Sequence, residues 1–306
     1  MSQHLQLKLN DGQKHIDVTI VSYNNSDTIQ ECIASVRHLG NVDKIIVVDH
    51  GSDDTAKQAT LLGAEAIQDP TNPGYGQGQN HAVKLCKNSF ILLLNPDAKI
   101  VPDAILQGLE YLTKHDNVAA IQGIIKSFDE TVIERSHGNN IGLIHLYGRA
   151  LGLKRLLKYR FIRRIFSNNN LLKDHVNRIP TEPVKTEALG FVAVLMRQAA
   201  FESVGGFDRS FFMYGEDMDL CKRLTNKGYE LVSLPTLWAL HLGQYSSGSN
   251  FNTELLWWQG TLRYAYKWWS TRDKLLLKVA QVIEFLKLSI KKPSEIKTIY
   301  RHLFLN

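Results

Sequence analysis

The sequence predicts an α/β protein built on a mostly parallel central sheet with helices on both faces. Three short apolar runs carry that prediction: Ile16-Asp-Val-Thr-Ile-Val-Ser-Tyr23, Lys44-Ile-Ile-Val-Val-Asp49 and Phe90-Ile-Leu-Leu-Leu94. They are β-branched or aliphatic almost throughout rather than alternating with polar residues, as strands buried on both faces should be. Segments with apolar residues at helical spacing separate them, and this alternation of strand and helix is the second observation. The third is composition: 306 residues, 44% hydrophobic and 22% charged, suit a globular chain with a substantial core.

After the first run, Ser26 or Asp27 is positioned to cap a helix whose apolar residues are Ile29, Cys32, Ile33, Val36 and Leu39, ending at Gly40. After the second, Ser52 is expected to cap a helix carrying Ala56, Ala59 and Leu62 that stops at Gly63. Ala64 to Gln68 reads as a brief strand, and a helix near Gln79 to Lys87 follows a Gly/Pro loop. A helix from Pro102 to His115 and a strand from Val118 to Ile125 continue the alternation. Further on, Leu189 to Met196 reads as a strand, followed by a short helix ending at Gly205-Gly206. A helix after Gly215, with Leu220, Cys221 and Leu224 on its apolar face, ends at Gly228, and two short strands follow at Glu230–Leu234 and Leu237–His241.

Charge is unevenly distributed. The net charge is +6, yet Thr261 to Asn306 alone holds ten Lys and Arg against Asp273, Glu284 and Glu295. A second basic run, Arg149, Lys154, Arg155, Lys158, Arg160, Arg163 and Arg164, is interleaved with Leu, Ile and Phe. Such segments suit an anionic membrane surface or a phosphate-bearing partner. No stretch reaches the length of apolar sequence that spans a bilayer, and Met1 to His15 is polar, unlike a secretory signal. Cys32, Cys86 and Cys221 have no C-x-x-C spacing and read as buried thiols of a reducing compartment. The expectation is a cytoplasmic protein, peripheral on the inner face of the cell membrane.

In parallel α/β sheets ligands bind beyond the carboxyl ends of the strands. Strand one delivers Tyr23, Asn24 and Asn25 there; strand two delivers Asp49 and then His50-Gly-Ser-Asp-Asp54; the Phe90 strand delivers Asn95-Pro-Asp97. Asp53 and Asp54 suit turn or cap positions. Asp49 and Asp97 close central strands, where a carboxylate needs a ligand, a metal or a hydrogen bond. The loop Asn72-Pro-Gly-Tyr-Gly-Gln-Gly-Gln-Asn80 opens a helix with three glycines, so its backbone amides can approach a phosphate or sugar. A second constellation, Phe207-Asp-Arg-Ser-Phe-Phe-Met-Tyr-Gly-Glu-Asp-Met-Asp219, leads an aromatic cluster into Glu216, Asp217 and Asp219 at a helix start, where the helix dipole favours anions. His241 ends the last strand.

Val47-Val-Asp-His-Gly-Ser-Asp53, Asn72-Pro-Gly-Tyr-Gly76, Leu93-Leu-Asn-Pro-Asp97, Gly205-Gly-Phe-Asp208 and Phe212-Met-Tyr-Gly-Glu-Asp-Met-Asp-Leu220 together resemble family 2 glycosyltransferases of GT-A fold. The nearest branch is the rhamnosyltransferase-like enzymes of bacterial surface polysaccharides. The motifs run in the family's order over about residues 16 to 245. The resemblance implies that Asp49 contacts the nucleoside, that Asp97 binds a divalent metal, Mg²⁺ or Mn²⁺, and that His241 is a further ligand. It implies Asp217 as catalytic base, with Glu216 the alternative. Tyr23, Asn25, Gly51 and Ser52 are then expected at the donor, as are Gly74, Tyr75, Gly76, Asn80 and Asn95. Two positions depart from the pattern: Asn95 stands where the fuller metal motif has its first Asp, and His50 where Asn is usual.

The resemblance divides the chain into a polar segment 1–15, a catalytic domain 16–245 and a basic, aromatic helical extension 246–306. Within the catalytic domain, 16–125 is the nucleotide-binding half, 126–183 a basic insertion on the acceptor or membrane side, and 184–245 the acceptor and catalytic half. The implied reaction is inverting transfer from a nucleoside-diphosphate sugar, dTDP-L-rhamnose among the candidates, to a growing glycan, lipid-diphosphate-linked. Two alternatives stay open: a UDP-hexose or UDP-N-acetylhexosamine transferase of the same fold, and a catalytically inactive peripheral membrane module. The G-x-G-T-R-like opening of a sugar-nucleotide pyrophosphorylase is lacking. An acidic rim repels nucleic acid, which is not expected as a partner.

Overall fold

A computed structural model describes residues 15–130, 133–134, 137–138, 142–150, 180–242 and 251–304. The three apolar runs form β1 (Ile16–Ser22), β2 (Val42–Asp49) and β4 (Phe90–Leu94), with β3 (Glu65–Gln68) at the sheet edge. β1 pairs in parallel with both β2 and β4, and β2 with β3. Beyond β4 the order continues β11 (Ala193–Arg197), β6 (Val118–Ser127), β12 (Glu230–His241) and β5 (Ala98–Ile100). β11 runs antiparallel to both neighbours, so β6 and β12 share the direction of β4. All these parallel strands therefore end on one rim.

Period-two alternation sends the side chains of each strand into two cores. Ile16, Val18 and Ile20 of β1, with Phe90, Leu92 and Leu94 of β4, pack with α1 (Ile29–Arg37), α2 (Thr55–Leu61) and α4 (Pro102–Lys114). Val21, Ile91 and Leu93 point the other way. They join α3 (Tyr75–Val83), α6 (Gln198–Ser203) and α7 (Glu216–Asn226). The three cysteines are buried, as the sequence predicts.

Several boundaries differ from expectation. The Leu189–Met196 run is broken: β10 (Ala188–Leu189) pairs with β8 (His137–Gly138) in a separate two-stranded sheet. A tight turn at Gly190, with Val192 N–H donating to Gly190 O at 2.6 Å, then starts β11. The two expected strands after Glu230 are one strand, and one of its register irregularities falls between Ser233 and Leu237. Pro235 lies there and lacks the N–H that a ladder requires. Thr28 rather than Ser26 or Asp27 is the N-cap of α1. α2 begins at Thr55 with Asp54 rather than Ser52 as its N-cap, and Asp53 accepts the Thr55 amide at 3.0 Å. α3 begins four residues earlier than predicted, launched by Gly74 at φ +99°.

Beyond the sheet, α8 (Phe251–Trp268), α9 (Thr271–Lys291) and α10 (Ile296–Phe304) share a core with α5 (Leu143–Ala150), built from Leu146, Leu255, Trp258, Leu262, Leu277, Leu288, Ile299 and Leu303. Ser270 caps α9, its Oγ accepting from Asp273 N–H at 3.1 Å. Among the described residues no helix is long and apolar enough to cross a membrane. The basic run from Lys154 to Arg164 lies outside the described residues.

Candidate active site

The loops leaving β1 and β2 are laced together at the common rim. Asn24, at φ 55°, accepts the Ser52 amide on its side chain at 2.8 Å and lies so close to Gly51 that a Cβ there would meet Asn24 N at 2.4 Å. Asn25 N–H donates to Thr55 Oγ1 and Ser26 N–H to Asp53 Oδ2, both at 2.9 Å. Asp53 is thus a loop anchor. This lacing leaves Tyr23 half exposed at the mouth (49%) and Asn25 fully buried beneath it. Asn25 Oδ1 accepts from Tyr23 N–H, while its Nδ2 donor has no protein partner.

Asp49 is fully buried at the end of β2. Its Oδ1 accepts from Ser22 Oγ at 2.8 Å and Gly51 N–H at 3.0 Å; Oδ2 has no protein partner. A buried carboxylate oxygen left this way is costly unless a ligand satisfies it. His50 turns aside, its Nδ1 lying 2.8 Å from Asp69 O.

Asp97 and His241 meet. β5 pairs antiparallel with the end of β12, placing His241 opposite Ala98, and Leu242 N–H donates to Asp97 O at 3.0 Å. His241 Nε2 thereby lies 3.1 Å from Asp97 Oδ1, with Asp97 almost wholly buried. Asn95 sits two residues back, its amide bonded to Val192 O at 2.8 Å. A carboxylate beside an imidazole offers two of the ligands that a divalent cation such as Mg²⁺ or Mn²⁺ would need. Among the described residues no cluster of three His, Cys, Asp or Glu forms a closed protein cage. A cleft of about 270 Å³, lined by Asp97, Lys99, Glu31, Phe128 and Leu242 among others, opens beside the pair.

The glycine loop has its own contacts. Tyr75 N–H donates to Phe212 O at 3.2 Å, and a Cβ on Gly74 would come within 2.0 Å of that same oxygen. Gly76 packs on the Phe207 ring. Asn80 grips Phe207 with both amide atoms, Nδ2 donating to its carbonyl and Oδ1 accepting from its N–H, each at 2.8 Å. Tyr75 packs edge-on against Phe207. Gly74, Tyr75, Gly76 and Asn80 therefore stitch the rim to the segment that carries the acids.

That segment ends in Gly215, at φ +88°, which turns the chain into α7. Glu216 is buried with Oε2 unpartnered, and burial together with the neighbouring Asp217 charge pushes its carboxyl up to about 8. Burial also raises Asp217, opposed by backbone amides including Met218 N–H at 2.7 Å from Oδ1. Hydrogen bonds to the charged form favour ionisation at Asp217. Both carboxyls of the pair are raised, and the Asp217 charge favours the protonated form of Glu216. Burial raises the Tyr75 phenol next to them, and the Glu216 charge adds to the effect.

Asp219, the third acid, is held elsewhere. It is fully buried and takes Arg223 Nε at 2.8 Å, Trp268 Nε1 at 2.8 Å and Lys267 Nζ at 2.7 Å. Lys267 also reaches Asp208 at 2.5 Å; although burial works the other way, Lys267 and the Ser210 amide bring that carboxyl down to about 2. Gly260 of α8 abuts the same segment, since a Cβ there would lie 1.8 Å from Tyr214 O. This clamp ties the helical extension 246–306 to the acidic segment of the catalytic domain. Lys267, Trp268 and Gly260 carry no motif, only a basic, aromatic helix pattern.

Solved structures with this architecture are GT-A glycosyltransferases. GalNAc-T7, solved with UDP, GalNAc and Mn²⁺, aligns with a TM-score of 0.57 at 13% identity over 86% of this chain and 49% of its own. S. aureus TarS in complex with UDP-GlcNAc aligns at 0.52 and 13%, over 90% of this chain and 72% of its own. The chain belongs to glycosyl transferase family 2, whose model matches residues 17–178. Residues 183–247 match the model described as the N-terminal domain of galactosyltransferase. Curated relatives include the rhamnosyltransferase WbbL of Escherichia coli K12, 26% identical over 81% of this chain and 91% of its own. The N-acetylglucosaminyl-diphospho-decaprenol L-rhamnosyltransferase of Mycobacterium tuberculosis is 24% identical over 76% of this chain and 81% of its own. The protein is a glycosyltransferase.

Proposed function

We propose that the protein is an inverting, metal-dependent rhamnosyltransferase, drawing on dTDP-L-rhamnose and acting on a lipid-diphosphate-linked glycan at the cytoplasmic membrane face. The observation that carries the donor site is the unpartnered, buried Asp49 Oδ2 on the same strand rim where Asp97 and His241 meet. The sugar rests on the names of both bacterial relatives, and the lipid-linked acceptor on the name of the second alone.

The half-exposed Tyr23 ring offers a face to the base. Beneath it Asn25 Nδ2 can donate to the nucleoside, and Asp49 Oδ2 can accept from one of its N–H or hydroxyl groups. Asp97 and His241 would hold Mg²⁺ or Mn²⁺, which when bound neutralises charge on the departing nucleoside diphosphate. Asp217, whose Oδ1 accepts the Met218 amide, takes the proton of the acceptor hydroxyl as that oxygen attacks the anomeric carbon. Attack from the face opposite the leaving group inverts the anomeric centre. Burial and the Asp217 charge favour the protonated form of Glu216, which opposes a second negative charge beside the base. The Asn80 and Gly74 contacts hold the acidic helix start against the donor rim.

The test is thermal unfolding with dTDP or UDP, each with and without Mn²⁺. Transfer from dTDP-L-rhamnose and from UDP-N-acetylglucosamine to a synthetic lipid-diphosphate N-acetylglucosamine is then compared. Mn²⁺-dependent stabilisation by dTDP and transfer of rhamnose support the proposal. Response to UDP and transfer of N-acetylglucosamine alone would replace it with the second reading, which the UDP-GlcNAc complex of the structural neighbour favours.

A further inference from the structure

α9 buries one side and leaves the opposite side apolar. Leu277, Ala280, Gln281, Glu284 and Leu288 face the helical core. Directly opposite, at helical spacing, stand Leu275 (66% exposed), Val279 (50%), Val282 (47%), Leu286 (55%) and Ile290 (80%). Scattered exposed aliphatics are ordinary, but a continuous line over four turns marks an interaction surface. Ile296 and Tyr300 of α10 are exposed as well.

Charge chooses the partner. Lys278 stands exposed one turn before Val282, and Lys291 and Lys292 are exposed at the end of α9, next to Ile290 in sequence. The acids of α9 are turned away from that line: Asp273 is engaged by the Ser270 cap, and Glu284 is buried beside Lys287. Among the described residues the face is thus apolar and cationic. A second copy closing on it would set these lysines against their own copies, unlike helix pairs that match opposite charges at the edges. Anionic headgroups answer the lysines, while the aliphatic line enters the acyl boundary.

We infer that the Leu275–Ile290 face of α9 is a docking surface for an anionic lipid bilayer. The inference deepens, and rests on, the membrane-side part of the proposed function, but it is independent of the donor and the chemistry. α8 precedes α9 in this bundle and abuts Tyr214 through Gly260, so a bilayer held at α9 fixes the height of the Glu216–Asp217 helix start above lipid.

The experiment is co-sedimentation of the full chain with phosphatidylcholine vesicles with and without phosphatidylglycerol. The variants Val282→Asp/Leu286→Asp and Lys278→Glu/Lys291→Glu alter surface positions only, and thermal unfolding checks that each stays folded. The wild type is expected to sediment with the phosphatidylglycerol vesicles, and each double variant to bind roughly tenfold more weakly or worse. Stabilisation by nucleoside diphosphate and Mn²⁺ should be unchanged in both, which separates failure of the docking surface from failure of the transferase reading. Equal vesicle binding by Val282→Asp/Leu286→Asp overturns the inference. So does a wild-type dimer that ignores vesicles and dissociates in that variant, because the face then belongs to a second copy.

Discussion

Asp97 Oδ1 and His241 Nε2 stand 3.1 Å apart although 144 residues separate them in sequence. The short β5 strand brings this about, by doubling back from the Asp97 turn to pair with the end of β12. An imidazole held beside a buried carboxylate at a strand rim can bind a cation that carries its remaining oxygens from a substrate.

Asp97→Ala should abolish turnover and remove the Mn²⁺-dependent part of the thermal stabilisation by nucleoside diphosphate. His241→Ala should weaken the same response less, because a neutral ligand is lost and no charge is removed. Ordinary metal-dependent stabilisation of Asp97→Ala would rule this pair out as the metal site.

Asp217→Asn keeps the size and most of the hydrogen bonding of the side chain but not its proton affinity. Transfer should fall by about 10²–10⁴-fold, the usual contribution of a general base. Donor affinity, measured by calorimetry with nucleoside diphosphate and Mn²⁺, should change by less than roughly tenfold. A collapse of donor affinity alongside the rate would move Asp217 into the donor site instead.

Glu216 makes stability depend on pH. Its folded value, about 8, lies above the ordinary 4.5, so the native state holds a proton that the unfolded chain has released. Stability from this group is therefore complete below the ordinary value and is lost as pH rises towards about 8. The unliganded wild type should melt lower as pH climbs through that window, and Glu216→Gln should show a flatter profile. A variant profile parallel to the wild type would refute the assignment.

Gly260→Ala pits propensity against packing. Alanine favours a helix interior by about 1 kcal/mol over glycine. Here, however, its Cβ would be driven into Tyr214 O, 1.8 Å away, and Met213 O, 2.6 Å away. Overpacking costs typically about 1–3 kcal/mol, so the melting temperature should drop. Turnover should drop too, because the displaced backbone leads directly into Gly215 and Glu216. A stabilised variant with normal turnover would show that α8 does not hold the catalytic segment.

The strand–helix alternation, the two-sided burial of β1, β2 and β4 and the placement of Asp49 and Asp97 at their ends were legible in the sequence, because local hydrophobic patterning sets strand and helix directly. The acidic helix start at Glu216 was legible for the same reason. What the sequence left open was decided by long-range pairing. Only the antiparallel β5–β12 register makes His241 a neighbour of Asp97. Only tertiary packing sorts the three acids, giving Asp219 to Arg223, Lys267 and Trp268 while Glu216 and Asp217 stay together at the helix start. Only the fold brings Asn80 to Phe207, 127 residues away, where both of its amide atoms bond to that backbone. Periodicity specifies which face of an element is buried; it carries no record of which distant backbone will come to lie against it.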